Sequence, residues 1–181
     1  MATSEEERVR SVLRARQVRE FTDEPLTSAE LEALTDVARW SGSSRNNQPW
    51  RFIVIRDRAV IERIHEAGAP QTRSLRTAPQ AIAIVLGGDP ADLEDAFDEG
   101  RAAERMLIAA GQLGLAAGIS WVRPSAQRVV GELLRLPPDR FVRTVIAIGH
   151  PSEAALRPKS APGDARLPAG DTVFEERWPQ G

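Results

Sequence analysis

Hydrophobic positions fall into helical and strand-like stretches separated by short polar connections. Val9, Val12 and Leu13 repeat at helical spacing behind Ser4-Glu5-Glu6-Glu7, a capping-box pattern, which predicts a first helix to about Arg14. Residues 14–21 (RARQVREF) break that pattern. A second capping box, Thr27-Ser28-Ala29-Glu30, precedes Leu31, Leu34, Val37 and Ala38 and predicts a helix ending near Trp40. Residues 41–49 (SGSSRNNQP) have no period and read as a loop, and residues 50–55 (WRFIVI) read as a strand. Asp57 caps a helix burying Val60, Ile61 and Ile64, and residues 68–79 form a polar, arginine-bearing connection.

Residues 81–86 (AIAIVL) are continuously apolar and β-branched, the pattern of a buried strand. Residues 98–114 predict a helix with apolar residues on most faces, the kind that is buried in a core or between subunits, closed by Gly114. Residues 116–122 follow as a small-residue loop. Ser125 is the expected cap of a helix carrying Val129, Val130, Leu133 and Leu134 and stopped by Pro137-Pro138. Residues 142–148 (VRTVIAI) read as a third strand. From residue 152 to 170 the chain is rich in Pro, Ala and Gly, so it is expected on the surface or around another subunit, with strand character returning at residues 172–174. The sum is one domain of mixed α and β over residues 1–181, with strands interspersed among helices and residues 151–181 as an extended tail.

Composition then removes several chemistries. The 181 residues suit one domain. With no cysteine there is no disulfide, thiolate nucleophile or Cys-ligated metal. His65 and His150 are the only histidines, and Ala69 breaks the one HExxH-like start, so no metal site is expected. No GxSxG, GxGxxG or GxxxxGK[ST] occurs. An enzyme with this inventory would rely on a bound cofactor for its chemistry, with no protein catalytic residue. A net charge of −2 argues against nucleic acid. Of the 24 basic residues only Lys159 is lysine, so an anion site here must use arginine forks. No apolar run can span a bilayer, and the first residues lack the pattern of a signal peptide, so a cytoplasmic location is the expectation.

Three regions can bind a ligand. Arg14, Arg16 and Arg19 with Gln17 can converge on an anion, although the same residues suit a solvated charged face. Residues 41–50 offer serines, asparagines and Gln48 on a loop, with an ordinary helix-to-strand connection as the plainer alternative. Residues 118–122 allow close backbone approach beside glycine, or form a packing turn.

In this order the three segments resemble the FMN-dependent nitroreductase family. Residues 16–21 (RQVREF) stand where that family has an RRSxRxF-like motif, and residues 41–50 (SGSSRNNQPW) where it has APSxxNxQPW. Leu113-Gly114-Leu115 with Trp121, Ile148-Gly149-His150-Pro151, and Arg166-Leu167-Pro168 continue the match over about residues 8–178. Departures are Ala15 for the first arginine, Gln17 for serine, Gly42 for proline and Asp164 for a late basic residue, with Lys159 nearby. The resemblance implies a nitroreductase-like α+β fold with a central mixed sheet and a homodimer embraced by the tail. Residues 101–113 would form its main contact. FMN would lie at the subunit interface. Arg16, Gln17, Arg19 and Arg166 would hold the phosphate. Ser43, Ser44, Asn46 and Gln48 would reach in from the partner chain, and the backbone of Ile119, Ser120, Trp121 and Val122 would meet the flavin ring. Residues 71–76 match a region that often contacts the flavin. The implied activity is NAD(P)H oxidation with ping-pong reduction of a nitroaromatic, quinone or similar electron-poor acceptor. A specialised reaction on the same fold and a non-enzymatic flavin-binding protein are the alternatives.

Overall fold

The computed structural model describes residues 4–157 and 166–179, so Lys159 and Asp164 lie outside the described residues. Ser4 accepts the Glu7 N–H and opens α1 (Glu5–Arg14). The second capping box forms in full at the start of α2 (Ser28–Arg39): Thr27 Oγ1 accepts the Glu30 N–H, and the Glu30 carboxylate accepts the Thr27 N–H at 2.7 Å. The backbone bond from Thr27, then its hydroxyl, hold the Glu30 carboxyl below its ordinary value.

Four strands, β1 (Arg51–Ile55), β2 (Gln80–Gly87), β3 (Ala116–Trp121) and β4 (Arg140–Gly149), form a sheet in the order β1-β2-β4-β3. All three strand pairings are antiparallel. The parallel component expected of a mixed sheet is confined, among the described residues, to one isolated bridge between Gln17 and Ala117. The central strand β2 is buried on both faces. Ile82, Ile84 and Leu86 pack with Leu31 and Leu34 of α2 and with Met106 of α4 (Leu93–Gln112). Ala81, Ala83 and Val85 pack with Ile61 and Ile64 of α3 (Arg58–Gly68) and with Val130 of α5 (Pro124–Leu133). The period of two thus divides one strand between two cores.

Several boundaries differ from the sequence pattern for physical reasons. α4 begins at Leu93, because Asp92 caps the Glu94 and Asp95 N–H groups; its first turns are mostly acidic and carry no apolar period. The small-residue segment expected as a loop is β3, where antiparallel pairing with β4 from Ala116 to Trp121 overrides weak local propensity. α5 starts with Pro124 at its first position and Arg123 before it, so Ser125 is inside the helix and not its cap. Residues 172–174 form no strand, because nothing among the described residues pairs with them; a 3₁₀ turn at Ala169–Asp171 precedes them. A short last helix, α6 (Glu153–Leu156), follows β4. The small apolar face of α4, Ala102, Ala103, Met106, Ala109 and Ala110, is buried within the single chain.

Between β2 and β4 the register shifts at Ile84 and Val85, which face Thr144 and Val142, leaving Arg143 as the extra residue of a β-bulge. The bulge returns Phe141 to the α2/α4 side of the sheet while Val142 stays on the other.

Trp50 ends the loop before β1, is 3% exposed, and packs its ring 6.4 Å from Phe52. Trp50→Ala should cost about 3–5 kcal/mol through lost burial and a residual cavity. Urea unfolding monitored by far-UV circular dichroism measures this; an unchanged midpoint would show that Trp50 is not a core residue.

Candidate functional site

The site is built where the segment after α1 lies down beside β3. Residues 15–20 are extended, and the Val18 N–H donates to the Ala117 carbonyl at 2.8 Å. This proximity requires Gly118, since a Cβ there would stand 2.1 Å from the Val18 carbonyl oxygen. The segment continues through Phe21, whose N–H donates to Thr77 Oγ1 at 3.1 Å, so the chain's start is tied to both β3 and the connection before β2.

In an extended segment Arg16 and Arg19 point apart. Arg16 donates to the Ala155 carbonyl at 2.9 Å and lines a cleft of about 290 Å³ with Ser11, Arg14, Val18 and Leu115. Arg19 lines a different cleft, of about 470 Å³, with Glu20, His65, Arg73 and Arg76. The convergence of Arg16 and Arg19 expected from their spacing does not occur within the chain. Arg19 is instead joined by Arg73 and Arg76 from the 3₁₀ turn Arg73–Arg76, inside the connection matched to a flavin-contact region. Their spacing of three was visible in the sequence, but nothing local showed that the turn would face Arg19.

That turn is held from several sides. Arg58 donates to the Leu75 carbonyl at 3.0 Å and also to the Arg76 carbonyl. Thr72 Oγ1 donates to the His65 carbonyl at 2.8 Å, and His65 Nδ1 lies 3.1 Å from the Thr72 carbonyl. Ser74 and Ser120 hydroxyls are 2.6 Å apart and buried, joining the turn to β3. The Trp121 N–H has only a long contact to the Gln71 carbonyl at 3.4 Å, and buried Gln71 Oε1 has no hydrogen-bond partner. Of the predicted ring-facing residues, Ser120 and Val122 are buried, Ile119 is half-buried, and Trp121 is 47% exposed.

Trp121 rests on a charged support that sequence reasoning missed. The Arg143 guanidinium, delivered by the bulge, lies 5.7 Å from the Trp121 ring and 5.9 Å from that of Phe141. Arg143 Nε donates to buried Glu99 of α4 at 2.7 Å, and Arg143 Nη1 donates to the Pro90 carbonyl. The sequence signal for Arg143 is an arginine inside an apolar strand; Glu99 is one of five acids on α4, and nothing local marks it as the buried partner. Nearby, burial first and then the charges of Asp92, Asp98 and Glu94 push the Asp95 carboxyl above its ordinary value.

The predicted loop residues stand elsewhere. Ser43 and Ser44 line an open groove with Leu93, Phe97, Asp98 and Arg101, apart from the Arg19 cleft. Asn46 and Gln48 are exposed with positive φ, 57° and 49°. Gln17 is exposed beside β3, and Arg166 is exposed in the tail. The chain therefore does not bring the loop residues, Arg16 and Arg166 together with Arg19 in one pocket.

The donor set fits a flavin mononucleotide. Three guanidiniums and a histidine line a cleft of a size common for small ligands, and guanidiniums suit phosphate and other anionic groups. The orphaned Gln71 Oε1 is an unused polar group on the same connection, whose Gln71 carbonyl accepts the Trp121 N–H at 3.4 Å. Among the described residues no group of acids and histidines could hold a metal ion, and no helix is long and apolar enough to cross a membrane.

The sequence model of the Nitroreductase family matches residues 12–80, which contain the arginine segment, the 41–49 loop and the Arg73–Arg76 turn. The chain is 27% identical to an FMN reductase [NAD(P)H] of Bacillus subtilis, over 87% of the chain and 71% of that protein. An FMN-dependent nitroreductase from Clostridium difficile R20291 has the same fold, with a TM-score of 0.79 at 23% identity, covering 92% of this chain and 98% of that one. An oxygen-insensitive NADPH nitroreductase of Salmonella typhimurium is 32% identical over 90% of the chain and 71% of its own length, and with the family match this places the chain in the nitroreductase family.

Proposed function

We propose that the protein is a homodimeric, FMN-dependent NAD(P)H oxidoreductase that reduces nitroaromatics, quinones or similar small electron-poor acceptors. The observation that carries this reading is the cleft lined by Arg19, Arg73 and Arg76, two of them on a turn that Ser74 ties to β3 through the Ser120 hydroxyl. Those arginines would hold the anionic groups of FMN, and the backbone from Ile119 to Val122 would meet the edge of its ring. Bound FMN would supply the two-electron redox chemistry between NAD(P)H and the acceptor. The chain's part is binding, orientation and electrostatics, which matches an inventory without cysteine or a nucleophile elbow.

A second copy of the chain gives the remaining residues a role. Ser43, Ser44, Asn46 and Gln48 are displayed away from the Arg19 cleft, as they would be to serve a flavin held by a partner. Exposed apolar side chains support such a contact: Val12 and Leu13 on α1, Leu93 and Phe97 on α4, and Trp178 in the tail. Because the small-residue face of α4 is consumed inside the chain, the part of α4 left for a partner is its opposite side.

A visible absorbance spectrum of the purified protein, with and without anaerobic NAD(P)H, tests the reading. A yellow protein that releases FMN on heating and bleaches with NADH or NADPH is expected. A protein that cannot be reconstituted with FMN would refute the cofactor, and a yellow protein that NAD(P)H fails to bleach would refute the enzyme. Arg19→Ala should raise the Kd for FMN by about tenfold or more while the protein stays folded, since a charge-assisted contact is lost; unchanged affinity by fluorescence titration would remove Arg19 from the site. Sedimentation equilibrium should give twice the chain mass of 19.8 kDa, and the double substitution Leu93→Asp, Phe97→Asp should shift it toward monomer. A wild-type monomer across the micromolar range would sink the shared site.

A further inference from the structure

Asp98 is a buried acid that the proposed chemistry leaves unused. Its side chain is 3% exposed, on the acidic first turns of α4. A carboxylate in such a place is costly unless its oxygens are satisfied, and a well-packed apolar residue would often serve stability as well. Both oxygens are used. Asp98 Oδ2 accepts the Ser44 backbone N–H at 2.7 Å, across 54 residues of sequence, and Asp98 Oδ1 accepts from Arg101 Nη1 at 3.1 Å.

The loop reached by this bond is under conformational demand. Arg45, Asn46 and Gln48 all have positive φ (48°, 57° and 49°), although none is glycine. Left-handed backbone at a non-glycine residue is strained and persists only where surroundings impose it. Inside the loop, Ser43 Oγ accepts the Gln48 N–H at 2.9 Å. Outside it, the Asp98 bond anchors the turn to α4 through the side chain of a different element. Gly42 completes the arrangement: a Cβ there would stand 2.3 Å from Arg101 Nη2, so the absence of a side chain leaves room for the guanidinium that pairs with Asp98.

We propose that Asp98 is a positioning residue for the flavin site: its carboxylate, oriented by Arg101 through the gap at Gly42, clamps the Ser44 N–H and holds the loop, with its left-handed residues Arg45, Asn46 and Gln48, in place before FMN arrives. Pre-ordering the loop removes an entropic cost from binding. The proposal rests on the flavin reading above for its functional consequence, whereas the clamp itself is tested without flavin.

Two measurements separate these. In the protein without FMN, hydrogen exchange of peptides covering residues 41–49 should speed up by about tenfold or more in Asp98→Ala, because a strong bond to a charged acceptor is lost. Unchanged exchange overturns the clamp whatever the cofactor proves to be. With FMN, Asp98→Ala should raise the Kd by about tenfold, while Asp98→Asn, which keeps an acceptor for Ser44, should stay within about threefold of wild type. Val130→Ala, a truncation in the core on the other face of the sheet, should lower the melting temperature and leave the Kd near the wild-type value. If Val130→Ala weakens FMN as much as Asp98→Ala, or Asn fails as badly as Ala, the positioning role is overturned. If Asp98→Ala does not fold, Asp98→Glu decides: its extra methylene displaces the carboxylate from Ser44, and wild-type exchange and affinity in that variant overturn the proposal. Failure of the wild-type protein to bind FMN would refute the flavin reading alone.

Discussion

The contact on which the candidate site depends is one of backbone against backbone. The Val18 carbonyl occupies the space a side chain at position 118 would fill, and the Val18 N–H is bonded to Ala117. This lays the arginine-bearing segment along β3 at a distance no residue other than glycine permits. Everything in the Arg19 cleft follows from that placement. The Arg73–Arg76 turn meets the same strand through the Ser74–Ser120 hydroxyl pair, so two sequence segments more than fifty residues apart present their guanidiniums to one space.

Arg19, Arg73 and Arg76 share their cleft with one carboxylate, Glu20. The turn that carries two of the three is held by hydrogen bonds: Thr72 Oγ1 to the His65 carbonyl, Ser74 with Ser120, and the Arg58 guanidinium on carbonyl groups of the turn. Guanidiniums outnumber carboxylates in the cleft, a balance that suits an anionic group.

α4 organises the other side of the molecule. Its small face closes the core over β2, while two consecutive acids leave the helix in different directions. Asp98 reaches the loop at Ser44, and Glu99 reaches Arg143, which lies against the Trp121 ring. The bulge at Arg143 makes the second contact possible by adding one residue to β4 opposite an unbroken β2. One helix thereby contacts both the 41–49 loop and, through Arg143, the end of β3.

The sequence by itself determined the elements whose signals are local: the capped helices α1, α2 and α3, the apolar strand β2, and the family through the order of its short motifs. Capping and periodicity depend on neighbours within a few residues, so one strand of text contains them. Tertiary structure alone decided β3, because alanines and a glycine become a strand only when β4 lies alongside. It also decided which arginines meet. Arg16 and Arg19 are close in sequence but separated by the alternation of an extended backbone, whereas Arg19 and Arg73 are distant in sequence and share a cleft. The roles of Asp98, Glu99 and Arg143 were hidden for the same reason: the partner that makes a buried charge tolerable is a long-range contact, and only the folded chain supplies it.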